Sequence, residues 1–158
     1  MTGFDVMERC RGYERDMERL RLQAVMARDA VTRATRSADA IGHGGGGDKM
    51  AAYAARAEAI ARAMDARTAM HEAELLAAAR MIAALDAAQG QAMYQLYILG
   101  QTVRQTAAAL HTTEAAVRGL RRRAKEALCG MDARMGGDWA QAAARYAQAI
   151  SDARGENG

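Results

Sequence analysis

Between positions 118 and 125 the chain places Arg118, Arg121, Arg122, Arg123 and Lys125 with no acid among them. A dense run of fixed cations at helical spacing suits a polyanion. The residues before it have the spacing of two short helices. Val103, Thr106, Ala107 and Leu110 give one apolar face, and Val117, Leu120, Ala124 and Leu128 give another. Only His111-Thr112-Thr113 separates the two. This pattern predicts a helix-turn-helix whose second helix, at about 113–128, lies in a DNA major groove. Thr102 and Thr113 are suitable N-caps, and Glu114 complements the dipole of the second helix. Glu114, Ala115, Arg118, Gly119 and Arg122 then face outward, while Arg121, Arg123 and Lys125 flank that face within reach of phosphates. With Arg104 and Thr112 at the edges, the candidate DNA-contacting set is Thr102, Arg104, Thr112, Thr113, Glu114, Arg118, Arg121, Arg122, Arg123 and Lys125. His111, at the turn, reads as a left-handed residue or a phosphate contact.

The run Gly100-x-Thr102-Val103-x-x-Thr106-Ala107-x-x-Leu110-x-x-Thr113-x-x-x-Val117-Arg118-x-Leu120-x-x-Arg123-Ala124-x-x-x-Leu128 resembles region 4 of bacterial RNA polymerase sigma factors. The preceding Met93-x-x-Leu96-Tyr97-x-x-Gly100 is similar to that family's lead-in. The wider layout resembles small phage and prophage regulators of late transcription, of the ArpU and RinA type. The resemblance implies a transcriptional regulator of phage or mobile-element origin, with core RNA polymerase as a further candidate partner. Positions that read bases in sigma factors hold Glu114, Ala115, Ala116 and Gly119 here. Alanine and glycine offer base edges no hydrogen bond, which leaves Arg118 and Arg122 as base readers.

The elements that must position this stretch are helical. The chain has 158 residues, no proline, 4% aromatic residues and an abundance of alanine, which favours an all-α fold over sheet. From Val6 through Cys10, Tyr13, Met17, Leu20, Ala24, Ala27, Val31, Ala34 and Ala38 to Ile41, apolar or small residues recur at heptad spacing. A glycine-rich break follows at Gly42–Gly47, containing His43. A second seam runs from Met50 through Tyr53, Ala57, Ile60, Met64, Thr68, His71, Leu75, Ala78 and Ile82 to Leu85, with a stutter at Thr68. The expected layout is a long antiparallel helical hairpin over 1–88, the second helix capped by Asp48 and ending near Ala88. A small helix-turn-helix bundle follows over 89–130. A C-terminal amphipathic helix and tail occupy 131–158, carrying Trp139, Ala143, Tyr146 and Ile150 on one face. The break is expected at Asp86–Gly90, with a short helix over Gln91–Leu99. Residues 155–158 are expected to fray.

The formal charge is +3, so the basic signal is local. Cys10 and Cys129 lack metal spacing and read as buried free thiols. The dispersed His43, His71 and His111 supply no catalytic or metal constellation, so neither enzyme activity nor a metal or cofactor is expected. No apolar run reaches membrane-spanning length and no secretory leader is evident, so a cytoplasmic protein without membrane attachment is expected. Expected partners are double-stranded DNA and a second copy of the chain zipped through the hairpin seams. Two other readings fit the pattern: a DNA-packaging subunit like the small terminase of phages, and a coiled-coil interaction protein that has lost DNA binding.

Overall fold

The computed structural model describes residues 1–41 and 47–155. Among these residues the protein is all-helical, apart from an isolated bridge between Thr2 and Asp132. Helix α1 spans Gly3–Ile41, α2 Gly47–Ala83 and α3 Ala87–Met93. A π-helical turn, Tyr94–Ile98, continues α3; then come α4 (Val103–Ala109), α5 (Glu114–Cys129) and α6 (Gly137–Arg154). Most of the expected glycine break, Gly42–Gly46 with His43, lies outside the described residues, as do Glu156, Asn157, Gly158 and the side chains of Ala38 and Ile41. No described helix is long and apolar enough to cross a membrane.

The heptad seam of α1 is the face that packs. Val6, Cys10, Met17, Leu20 and Ala27 are buried, and Tyr13, Ala24, Val31 and Ala34 are half-buried. On α2 the buried surface is wider than the seam. Alongside Ile60 and Ala78 it includes Ala59, Ala63, Ala66, Met70 and Ala77, so most of α2 after Ala59 has neighbours on two sides.

Helix α2 ends at Ala83, earlier than the expected Ala88. Its last turn tightens, the Leu85 amide donating to the Ile82 carbonyl at 3.1 Å. Helix α3 starts directly after Asp86 and contains Gly90, which the sequence reading placed in the break. The role of Gly90 is close approach: a Cβ there would sit 3.1 Å from the Ile82 carbonyl oxygen. Glycine marks a contact here, as its missing side chain permits.

The chain forms two compact units, one of residues 1–14 and 70–139, the other of residues 15–69 and 140–158. The expected boundaries at 88 and 130 do not separate them, because α1, α2 and α6 each supply residues to both.

In the first unit the core gathers Val6, Met7 and Cys10 of α1 with Ala77 and Ala78 of α2. To these it adds Met93, Leu96 and Tyr97, then Ala107, Val117, Ala124, Leu128 and Ala133. The chain start is pinned to the segment after α5: the Gly3 amide donates to the Met131 carbonyl and the Ala133 amide to the Met1 carbonyl, both at 2.9 Å. Thr2 and Asp5 cap each other at the head of α1. The hydrogen bonds from Thr2 hold the Asp5 carboxyl below its usual range. Glu74 is fully buried, and its Oε1 accepts from Arg9 Nε at 2.9 Å and Trp139 Nε1 at 3.2 Å. His71 stacks flat on Tyr13, ring centroids 3.8 Å apart.

In the second unit, Asp16 of α1 meets Arg67 of α2 at 3.1 Å, and Thr35 meets Met50 at 3.5 Å, an antiparallel register. Arg67 is almost wholly buried, and Asp16 supplies the partner that a buried cation requires. On α6 of this unit, Ala142, Ala149 and Ala153 are buried, whereas Ala143, Tyr146 and Ile150 are half-buried. The buried face is thus centred one position off the expected stripe, because alanine allows closer packing than tyrosine or isoleucine.

Gly90→Ala should destabilise the protein by about 1–3 kcal/mol, since a methyl group is forced against backbone. Urea unfolding followed by circular dichroism measures it; an unchanged midpoint would mean that the α2–α3 approach is not tight.

Candidate nucleic-acid interface

Helix α4 begins with a reciprocal cap. The Gln105 amide donates to Thr102 Oγ1 at 3.2 Å, and the Thr102 amide donates to Gln105 Oε1 at 2.9 Å. Gly100, two residues earlier, has φ +66°, a conformation that lets the chain turn out of the π-helical segment. Helix α4 buries Thr106 and Ala107 and packs against α5. After α4, His111 adopts φ +51°, the left-handed conformation expected of it. The Thr112 amide folds back to the Ala107 carbonyl at 2.9 Å. Thr113 then caps α5, its Oγ1 accepting from the Ala116 amide at 3.1 Å. Helix, four-residue connection (110–113) and helix thus follow from one left-handed residue and two threonine caps.

Helix α5 buries Val117, Ala124 and Leu128, with Leu120 and Arg121 half-buried beside them. Among the residues singled out in the sequence, Arg104, Arg122, Arg123 and Lys125 are exposed and form no ion pair with any described residue. Arg118 is also exposed, but its Nη2 donates to Glu114 at 3.0 Å one turn back. That exposed i,i+4 pair is weak enough to open for a stronger anion. Thr102 and Thr113 serve as caps, and Thr112 lies exposed in the turn. Arg121 differs from its expected role at the flank. Its Nε donates to Tyr97 Oη at 2.9 Å, and its guanidinium lies 5.7 Å from the centre of the Tyr97 ring. Cys129, expected to be buried, is exposed at the end of α5, where Leu128 takes the inward place.

The structure adds residues that the sequence reading did not place in the site. Tyr97 is fully buried within the π-helical turn. Phe4 of α1 meets it edge to face, centroids 5.7 Å apart, and Lys125 holds its ammonium 4.8 Å over the Phe4 ring. Arg11 of α1 lies 5.4 Å from the Tyr97 ring centre. Tyr97 was visible as part of the lead-in motif; Phe4 and Arg11 carry no local signal, being about a hundred residues from α5. Glu126 is an exposed acid on α5 that dilutes the basic face toward its end. Gly119 leaves a bare spot on the outer surface, where an added Cβ would meet only Arg123 Nη1, at 3.6 Å.

The basic excess is confined to α5. Residues 1–14 and 70–139 together hold 10 Lys and Arg against 10 Asp and Glu. Among the described residues no three His, Cys, Asp or Glu are grouped to hold a metal ion. In the second unit a groove of about 430 Å³ is lined by residues including Arg62, Ala66, Arg145, Ala149 and Asp152, with no Ser, Cys or His among the described lining residues. No protein-family model, curated protein or solved structure matches this chain.

Burial pushes the Tyr97 phenol above the ordinary tyrosine range, although the hydrogen bond from Arg121 acts in the opposite direction. The fold therefore favours the neutral phenol. That contribution is complete below the unfolded tyrosine pKa and is lost as pH rises from about 10 through the folded value. Tyr97→Phe should cost about 1–2 kcal/mol at neutral pH by stranding Arg121, and should flatten the fall in stability above about pH 10. Chemical denaturation at pH 7 and along an alkaline series tests both; equal alkaline losses in the two proteins would remove Tyr97 as their source. Gly119→Ala should raise stability by about 0.5–1 kcal/mol, read as a higher melting temperature.

Proposed function

We propose that this chain is a DNA-binding transcriptional regulator built as a helical hairpin carrying a helix-turn-helix, with α5 as its recognition helix. The observation that carries the reading is the α4–turn–α5 geometry together with exposed Arg122, Arg123 and Lys125, whose charges no described acid neutralises. Cations left in water on a helix of net positive charge are the footprint of phosphate binding. The sequence resemblance to sigma factor region 4 supports the same class and a phage or mobile-element origin. Core RNA polymerase is the protein partner that this resemblance suggests.

Affinity on this reading comes from phosphates more than from base edges. The outward positions Ala115 and Gly119 carry no donors or acceptors, and Arg118 must leave Glu114 before it can reach a base. A homodimer would not use the two helix seams, whose described residues are already buried or half-buried within the chain. It would use the outer side of α1, where Leu22, Val25 and Met26 are each more than half exposed at helical spacing.

Binding to a 30-base-pair duplex of arbitrary sequence should weaken steeply with salt, with a log–log slope corresponding to about 3–5 phosphate contacts. The triple substitution Arg122→Ala, Arg123→Ala and Lys125→Ala should make the slope less negative by roughly 3, with helicity unchanged by circular dichroism. Binding indifferent to salt and to these substitutions would overturn the reading. Mass measurement separates a regulator from a packaging subunit: a monomer or dimer supports the former, and a ring of eight or more copies the latter. Capture of core RNA polymerase by the immobilised chain tests that partner.

A further inference from the structure

We infer that Arg11 of α1 is a DNA phosphate contact, so that α1 and α5 together form one backbone-gripping strip; the inference rests on the DNA-binding reading above. The observation is a chain of cation–aromatic contacts within the first unit. Arg11 and Arg121 both lie within 6 Å of the centre of the Tyr97 ring. Tyr97 meets Phe4 edge to face, and Phe4 carries Lys125 above its own ring. Two touching aromatic side chains thus carry cations from both α1 and α5.

Three features make Arg11 fit for phosphate. It is exposed, and among the described residues it forms no ion pair. Glu8, one turn earlier on α1, is near enough to act on Tyr97 electrostatically, but it does not close a salt bridge with Arg11. The guanidinium keeps its full charge when it rests on a ring, and resting there restricts its rotamers before any ligand arrives. A preordered cation loses less entropy on binding than a free surface arginine does. The same stack links Arg11, through Tyr97 and then Phe4, to Lys125 of α5. On this inference a duplex gripped by the cations of α5 also meets Arg11 with its sugar–phosphate backbone. Arg121 takes a different part: it gives its Nε to Tyr97 and fixes the platform on which Arg11 rests.

The test is a salt titration of the full chain on the same 30-base-pair duplex, comparing wild type, Arg11→Ala, Arg11→Lys and the α5 triple variant. Arg11→Ala should make the log–log slope less negative by about 0.9 and weaken binding roughly five- to tenfold near 0.1 M salt. Arg11→Lys should restore the slope, because it restores the charge. Circular dichroism of each variant at the titration temperature confirms that the fold persists; a packing role alone would move the melting temperature and leave the slope in place. If the α5 triple variant loses slope while Arg11→Ala keeps that of the wild type, Arg11 is not a contact and the DNA-binding reading stands. If the wild type shows no salt-dependent binding, that reading fails and takes this inference with it.

Discussion

Tyr97 is fully enclosed, yet its side chain ends in a hydroxyl that needs a partner, and Arg121 supplies one. That single hydrogen bond ties the π-helical turn to the middle of α5. A phenol left unsatisfied in the core would carry a desolvation cost comparable to the loss of a buried hydrogen bond. An arginine lets the enclosed hydroxyl be satisfied from the surface, because its long stem reaches inward while its charge stays near water. The direction in which α5 presents its remaining cations follows from this anchoring. With Arg121 turned inward and Val117, Ala124 and Leu128 below, Arg118, Arg122 and Arg123 have only the solvent side left.

A second buried polar group constrains the same unit from the other side. Glu74 has no solvent exposure, and a bare carboxylate there would be strongly disfavoured. Arg9 and the indole N–H of Trp139 converge on one of its oxygens, and Arg9 also lies 5.1 Å over the Trp139 ring. A contact with several partners of fixed geometry discriminates between registers of α1 against α2 more sharply than apolar packing alone. Small seam residues slide past one another at little cost; a buried acid that must meet one particular arginine does not. In the second unit, Arg67 and Asp16 impose the same kind of restriction.

The parts of the structure that were legible in the sequence are those encoded by neighbours along the chain. The α1 seam appears as periodicity, and the caps at Thr102 and Thr113 and the left-handed His111 appear as local turn chemistry. The end of α2 was not legible, because Ala84 and Leu85 are good helix formers and nothing in them announces a stop. Gly90 pointed the wrong way, since a glycine that permits close packing looks the same in sequence as one that breaks a helix. The inward turn of Arg121 depends on Tyr97, 24 residues earlier, and the pairing of Arg9 with Glu74 spans 65 residues. Such pairs are set by tertiary packing, which composition and spacing do not record. For the candidate site, the sequence supplied the cations and the structure sorted them into those in water and one spent on the core.

The pinning of Met1 and Gly3 to Met131 and Ala133 has a consequence for how the chain is made. Synthesis delivers the first turns of α1 long before the segment that holds them. At roughly 5–20 residues per second, some seconds to tens of seconds separate the two. During that interval Phe4, Val6 and Met7 have no α5 to cover them, so this apolar stretch of the nascent chain stays uncovered. Closing so large a loop is entropically costly and slow, so this unit is completed only once residues 131–133 have been made.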